Sequence, residues 1–425
     1  MHDVIEREMD RVAASFTTPA LDLPEIVARG RRRLWARRIT GALTVCVIAV
    51  AAPYAWIALD DAEHASEPRE DRAAPPAADY EWQPVPDAPL KSRANALGVW
   101  TGEEYIVWGG QAPNGYETLS DGAAYDPEAG SWRELAPPVT EDARLPREED
   151  GPTALWSGSE MLLWGGADDG DARRDNGAAY NPATDAWRKL APSPVWSLAR
   201  HSTVWTGMEM IVFGGIAGDV PTGAAAYNPR TDAWRVLPEA PIAARHSHAA
   251  AWTGTEMVVW GGRAHAGGHL NDGAAFDPAS NSWRVLPESP LSPREQPLAA
   301  VIGDRVFIWG GTFDEAEPNE AGVASFVATD GAIYDPATDT WAALPPIDLA
   351  PQLPFVQGGA VGDRLLAIAG DLALYDVPRG EWAELAPPSG FGGAFAVITT
   401  EDSIFVWGGF VGSDLHSRGA LLRLP

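Results

Sequence analysis

A short apolar run closed by Trp-Gly-Gly recurs along most of the chain and constrains the fold more than any other feature. It stands at Tyr105 to Gly110, Met161 to Gly166, Met257 to Gly262, Val306 to Gly311 and Ile404 to Gly409, and at Met210 to Gly215 with Phe213 in place of the Trp. Leu365 to Gly370 is a degenerate seventh copy. Most copies are followed by Gly-Ala-Ala-Tyr-(Asp/Asn)-Pro or a close variant, then a short turn and a Trp: Trp132, Trp187, Trp234, Trp283, Trp341 and Trp382. Ahead of most of them stands a turn such as Trp100-Thr101-Gly102 or Trp252-Thr253-Gly254. This repetition, punctuated too often for long helices, predicts four short strands per unit.

A four-stranded antiparallel sheet with two apolar faces cannot bury both alone, so the units are expected to stack face to face around an axis. The Gly pair suits the crowded inner end of a blade, where backbone approaches closely or takes positive φ. Asp185, Asp232, Asn281 and Asp339, just ahead of the last strand of their units, fit hairpins that need a left-handed residue. The last copy runs through Gly419 to Pro425 without a Trp strand, and an orphan Trp strand, Tyr80 to Pro86, precedes the first complete unit. Pairing the two hides the edges of an open array. The expected fold is all-β, a seven-bladed β-propeller over residues 80–425.

Paired Gly after an apolar strand, then Tyr, then Trp resembles the kelch repeat. The resemblance covers about four fifths of the chain and implies a kelch-type β-propeller. It leaves function open, because kelch propellers include scaffolds, carbohydrate binders and a few enzymes. The sixth copy lacks one Gly and its long loop, so no binding loop is expected there. Galactose-oxidase-like propellers use a radical cofactor that requires a Tyr joined to a Cys, and the sole cysteine, Cys46, stands far from the repeats. No cofactor is expected. Kelch-type sialic acid mutarotases need an acid and a base near the axis, for which His248 and Glu295 are candidates.

From Ile39 to Leu59 there are 21 uncharged residues, about the ~20 that a membrane-spanning helix needs. Arg29, Arg31, Arg32, Arg33, Arg37 and Arg38 precede the run and Asp60 and Asp61 follow it. By the positive-inside bias this predicts a single-pass protein of the cell membrane with its N-terminus in the cytoplasm. The run is long for a cleaved signal peptide and lacks a small-residue cleavage site; Cys46 lies inside it rather than after it, which disfavours a lipoprotein. Residues 1–38 then form a cytoplasmic segment, 39–59 a transmembrane helix, 60–79 a Pro/Ala/acidic linker and 80–425 the extracytoplasmic propeller. Ile5, Met9, Val12 and Phe16 fall on one stripe of a short helix. That stripe makes residues 1–28 a candidate docking site for a cytoplasmic partner, or a helix lying on the inner membrane face.

The formal charge is -28, and residues 1–38 alone carry +2, so the acidity lies beyond them. Such a surface repels phosphate backbones, and nucleic acid is not expected as a partner. A protein or glycan ligand outside the cell is. The loops joining second to third strands and one blade to the next gather on one face around the axis. Ahead of the innermost strands there stand Arg93, Arg200, His201, Arg245, His246, His248 and Arg294, candidate donors around the opening for a carboxylate or sugar. Their recurrence also fits an architectural role, tying neighbouring segments by hydrogen bonds. Two loops are acid-rich: Thr312 to Asp330 with Asp314, Glu315, Glu317 and Glu320, and Ala167 to Asn176 with Asp168, Asp169 and Asp171. Neither carries a calcium-loop pattern. His265 and His269 with Asp272 offer metal-ligand types on a Gly-rich loop that does not preorganise them.

Overall fold

The computed structural model describes residues 80–425 apart from 114–116, 139–151, 167–176, 196–198, 218–219, 222, 315–324, 348, 350–355, 392–394, 412–413 and 425. The expected cytoplasmic segment, transmembrane helix and linker, with Cys46, lie outside the described residues. So do Asp168, Asp169, Asp171, Glu315, Glu317 and Glu320.

Seven four-stranded antiparallel sheets follow one another along the chain. Blade 1 is Leu97–Trp100, Tyr105–Trp108, Gly122–Asp126 and Ser131–Glu134, in that spatial order. The innermost strands of blades 2 to 7 are Thr153–Trp156, Ser202–Trp205, Ala249–Trp252, Leu298–Ile302, Gln357–Val361 and Ala396–Thr399. Each touches the next, and the last touches Leu97–Trp100, so the ring is complete. Blade 7 takes its outermost strand from the other end of the chain: Gln83–Val85 pairs with Gly419–Arg423, Gln83 opposite Leu421.

The apolar runs form second strands because both their faces meet another blade, which a continuous run satisfies and an alternating one does not. Tyr105–Trp108, Met161–Trp164 and Met257–Trp260 are buried throughout, whereas the outermost Ser131–Glu134 is not. The core therefore lies between blades: Ile106 and Trp108 of blade 1 pack with Met161, Leu163 and Tyr180 of blade 2.

One polar bond repeats at every interface. The Trp of each outermost strand donates its indole N–H to a carbonyl just past the outermost strand of the preceding blade. The pairs are Trp132 to Pro86, Trp187 to Ala136, Trp234 to Ala191, Trp283 to Pro238, Trp341 to Pro287, Trp382 to Pro345 and Trp82 to Ala386, at 2.8 to 3.1 Å. The acceptor satisfies the indole N–H while the ring packs against its neighbours, and these bonds stitch the ring at its wide rim.

A second tie holds only part of the ring. Glu104, in the turn between the first two strands of blade 1, pairs with Arg133. Arg133 donates to the Tyr180 hydroxyl of blade 2 at 2.9 Å, and that hydroxyl donates to Asp185 at 2.6 Å. Asp185 accepts the Ala136 N–H from blade 1. Glu160, Arg188, Tyr227 and Asp232 repeat the tie between blades 2 and 3. Arg235 reaches Asn281 between blades 3 and 4, and Arg284 reaches Asp339 between blades 4 and 5. At the next positions Ala342, Ala383 and Gln83 replace the Arg, so the tie stops at blade 5. Asp185, Asp232, Asn281 and Asp339 have φ of 47 to 54°, the left-handed geometry their place in the repeat predicts.

Short two-stranded ribbons stand where loops were expected: Thr312–Asp314 with Ser325–Val327, Ile216–Ala217 with Val220–Pro221, Phe410–Val411 with Asp414–Leu415, and Arg245–His246 with Arg263–Ala264. Blade 6 has none and joins its second and third strands through Ala369, Gly370 and Asp371 alone, as its degenerate repeat predicts.

Candidate functional site

The connections between blades and those between second and third strands share one face, and the segment entering each innermost strand forms the rim of the axial mouth. Arg93, Arg245 and Arg294 each stand four residues ahead of an innermost strand, and their side chains are 0 to 1% exposed. Each guanidinium is bonded within its own blade, although Nη2 of Arg245 is buried without a hydrogen-bond partner. Nε donates to the carbonyl two residues back, and Nη1 to the first Gly of the pair: Gly109 at 2.9 Å, Gly261 at 3.0 Å and Gly310 at 3.2 Å. Asp121, Asp272 and Asp330 supply the counter-charge. This is the tying role that recurrence allowed. The second Gly of each pair passes under the same segment: Gly110 has φ of 98°, and a Cβ there would lie 2.6 Å from the Ala94 carbonyl oxygen.

Arg200 does not belong to that set. Counted from its innermost strand it aligns with Asn95, Ser247 and Gln296, and all four are left-handed, with φ of 53 to 56°. Non-Gly residues rarely adopt this conformation, and it concentrates where function or tight geometry demands it. The backbone of this arc is continuous across blades 3 to 5: Ser247 N–H donates to Arg200 O at 2.9 Å and Gln296 N–H to Ser247 O at 2.7 Å. Arg200, Asn95 and Gln296 are exposed. Only Arg200 of this arc was singled out from the sequence. The others carry no charge, and the signal that finds them is their register two residues ahead of the innermost strand.

His201 and His248 occupy the next position and are buried. His201 Nε2 lies 3.0 Å from Thr153 Oγ1 and His248 Nε2 2.7 Å from Ser202 Oγ, each on the innermost strand of the preceding blade. Burial pushes both imidazoles down to about 3, so they are neutral struts. His248 is thus committed to Ser202, while Glu295 faces Arg263 and His269 at 3.5 Å each; the acid and base considered from the sequence have different partners. Asp272 serves Arg245 rather than a metal. Among the described residues no three His, Cys, Asp or Glu side chains are grouped to hold an ion.

The mouth opens on an axial cavity of about 590 Å³. Its wall is made of small and aliphatic residues such as Ala96, Gly98, Ala154, Ala249 and Leu298, with Thr153, Ser202, His248 and Gln357 as polar points. Among the described residues Phe395 is the only ring of the aromatic amino acids Phe, Tyr and Trp in that lining, and it is buried. Among the described residues no carboxylate lines it.

The KLHDC2/KLHL20/DRC7 Kelch-repeats domain matches residues 200–354, which are blades 3 to 5. That match supports the kelch reading of the repeats. Among solved structures, the kelch propeller is similar to one titled "Structure of YjhT" at 16% sequence identity and a TM-score of 0.52, over 79% of this chain and 96% of that one. At that identity the likeness speaks for fold alone. No curated protein matches the sequence. A kelch propeller suggests a protein-binding module.

Proposed function

We propose that the chain is a membrane-anchored, extracytoplasmic kelch propeller that binds a protein ligand at the mouth of its axial cavity. The observation that carries this reading is the arc of exposed, left-handed Asn95, Arg200 and Gln296 beside Ser247, polar donors over a cavity whose described lining has no carboxylate. A site built for acid-base catalysis needs at least one titratable group within reach of substrate and tuned to its task; the cavity's histidine is a buried strut. A glycan ligand, or a sugar-modifying activity, is the weaker reading because among the described residues of the cavity lining Phe395 is the one Phe, Tyr or Trp, and it is buried. The uncharged run 39–59 between an Arg cluster and two Asp supports the anchor. The apolar stripe of residues 1–28 would let a binding event outside be read by a cytoplasmic partner.

The test is site-specific photo-cross-linking of the full chain on whole cells. A cross-linker replacing Gln296 is expected to capture a discrete protein, and one replacing Met208, exposed in a turn on the opposite face, is expected not to. Equal capture from both faces, or none from either, overturns the reading. Resistance of the full chain to alkaline extraction, lost when 39–59 is deleted, tests the anchor. A thermal-shift screen with neutral and acidic sugars tests the glycan alternative, since a ligand that binds only the folded state stabilises it.

A further inference from the structure

On the blade 3 to 4 side of the mouth, four segments converge on one small group of charges. Arg200 comes from the rim arc. His246 lies on the ribbon strand Arg245–His246, directly opposite Arg263. His265 follows that ribbon, its ring centroid 5.9 Å from that of His246 and nearly perpendicular to it. Glu295 precedes the blade 5 innermost strand and is shared between Arg263 and His269. Among the described residues the balance is lopsided: one carboxylate stands among two guanidinium groups and three imidazoles, in a chain of net charge -28. Among the described residues Arg200 has no ion-pair partner, although acidic side chains are abundant elsewhere.

The hydrogen bonds define what the imidazoles offer. His265 Nε2 lies 3.1 Å from the Gly215 carbonyl oxygen. A carbonyl only accepts, so Nε2 carries the proton and the neutral ring keeps its lone pair at Nδ1. His246, which is buried, has its Nδ1 engaged by Ser247 Oγ at 3.1 Å, which leaves Nε2 as the ring atom open to a new partner. A proton added to either ring therefore creates a cationic donor beside Arg200. We propose that Arg200, His246 and His265 form a carboxylate-binding subsite for an acidic peptide segment of the protein partner, engaged with uptake of protons and so tighter at acidic pH. This deepens the protein-binding reading and rests on it.

The charges around His246 give the sign. Burial holds its imidazole below the ordinary range; the positive charge of Arg200 adds to this, Glu295 opposes it, and His265 and Arg263 add further. With the site empty, a second proton on His246 is therefore disfavoured. A carboxylate seated among these groups removes that penalty, and by linkage each proton taken up on binding makes affinity rise up to about tenfold per pH unit. Glu295 is already shared with Arg263 and His269, so it competes only weakly with the incoming carboxylate. The same geometry disfavours a neutral partner, which gains nothing from the added charge.

The test uses the full chain in nanodiscs and a fluorescent tetraglutamate peptide, with tetraglutamine as the control, titrated between pH 8 and pH 5. The expected result is binding of tetraglutamate alone, tightening at least tenfold over that range. H246Q/H265Q is expected to flatten the pH profile while keeping residual affinity, and R200M to weaken binding about tenfold at every pH. Thermal unfolding of each variant checks the fold, and the histidine titrations followed by NMR should move upward when the peptide is added. A pH profile unchanged in H246Q/H265Q, equal binding of tetraglutamine, or an acidic sugar that binds where tetraglutamate does not would each overturn the proposal. If tetraglutamate fails while the Gln296 cross-linker still captures a protein, this inference falls and the binding-module reading stands.

Discussion

The Trp82 indole donates a 2.8 Å hydrogen bond to the Ala386 carbonyl, 304 residues away. It is the same bond that every other blade makes, so the seam between the two ends of the propeller is sealed at its rim by the device that joins the rest. Trp82→Phe removes the donor and keeps most of the apolar contact. It should lower stability by about 1 kcal/mol, read from the chemical denaturation midpoint. Trp132→Phe, which breaks the tie to Pro86, should cost a similar amount. A much larger loss at Trp82 than at Trp132 would mean that the seam carries strain the other interfaces do not.

His201 and His248 predict an acid limit. Their folded values are pushed down to about 3 by burial, against about 6.5 in an unfolded chain. Between those values the unfolded state binds more protons, so the stability present above pH 6.5 is lost progressively as pH falls toward 3. The slope is about 1.4 kcal/mol per pH unit for each histidine. Denaturation midpoints measured from pH 7 to pH 4 should fall accordingly, and H201N/H248N should show a shallower fall. An equally steep fall in the double variant would shift the cause to other groups.

The buried arginines and the rim arginine should separate cleanly. Arg294→Met strands the Gly310 and Ser292 carbonyls and the Asp330 carboxylate and should cost about 2 to 3 kcal/mol. Arg200→Ala should stay within about 0.5 kcal/mol of the parent, and Arg200→Gly should gain about 1 kcal/mol by relieving a left-handed conformation. Melting curves of the three variants decide the matter. A destabilised Arg200→Ala would make that residue another pin.

The partial ladder of Arg, Tyr and Asp ties predicts uneven stability around the ring. Tyr180→Phe removes one acceptor and one donor at the interface of blades 1 and 2 and should cost about 1 kcal/mol, less than a fully buried network because Asp185 is half exposed. Hydrogen exchange should show blades 6 and 7, which lack the ties, opening at lower free energy than blades 1 to 4. Uniform protection around the ring would leave the rim indoles as the sole determinant.

Blade count, the pairing of Tyr80 to Pro86 with the last copy, the left-handed Asp185 and the bare blade 6 were all legible from the sequence. Each is a repeated or conspicuously missing residue whose backbone requirement is local. The site was less legible because the segment ahead of each innermost strand has no fixed residue type. Arg200 looks like Arg93 and Arg294 in the sequence, yet it stands two residues later in the register, and that offset turns a buried pin into an exposed donor. The convergence of His246, His265 and Glu295 depends on a ribbon between Arg245–His246 and Arg263–Ala264 that is too short to leave a period. The expected membrane helix at 39–59 rests on the sequence alone.

Because Gln83–Val85 belongs to the same sheet as Gly419–Arg423, the order of synthesis matters. A growing propeller presents its orphan strand first and must wait until Gly419–Arg423 is made before a partner emerges. Blades 1 to 5, tied to one another by Arg133, Arg188, Arg235 and Arg284, are the natural candidates to assemble during that wait. Closure therefore waits for Gly419–Arg423: a polypeptide truncated anywhere before Gly419 keeps the unpaired edges that a closed ring hides.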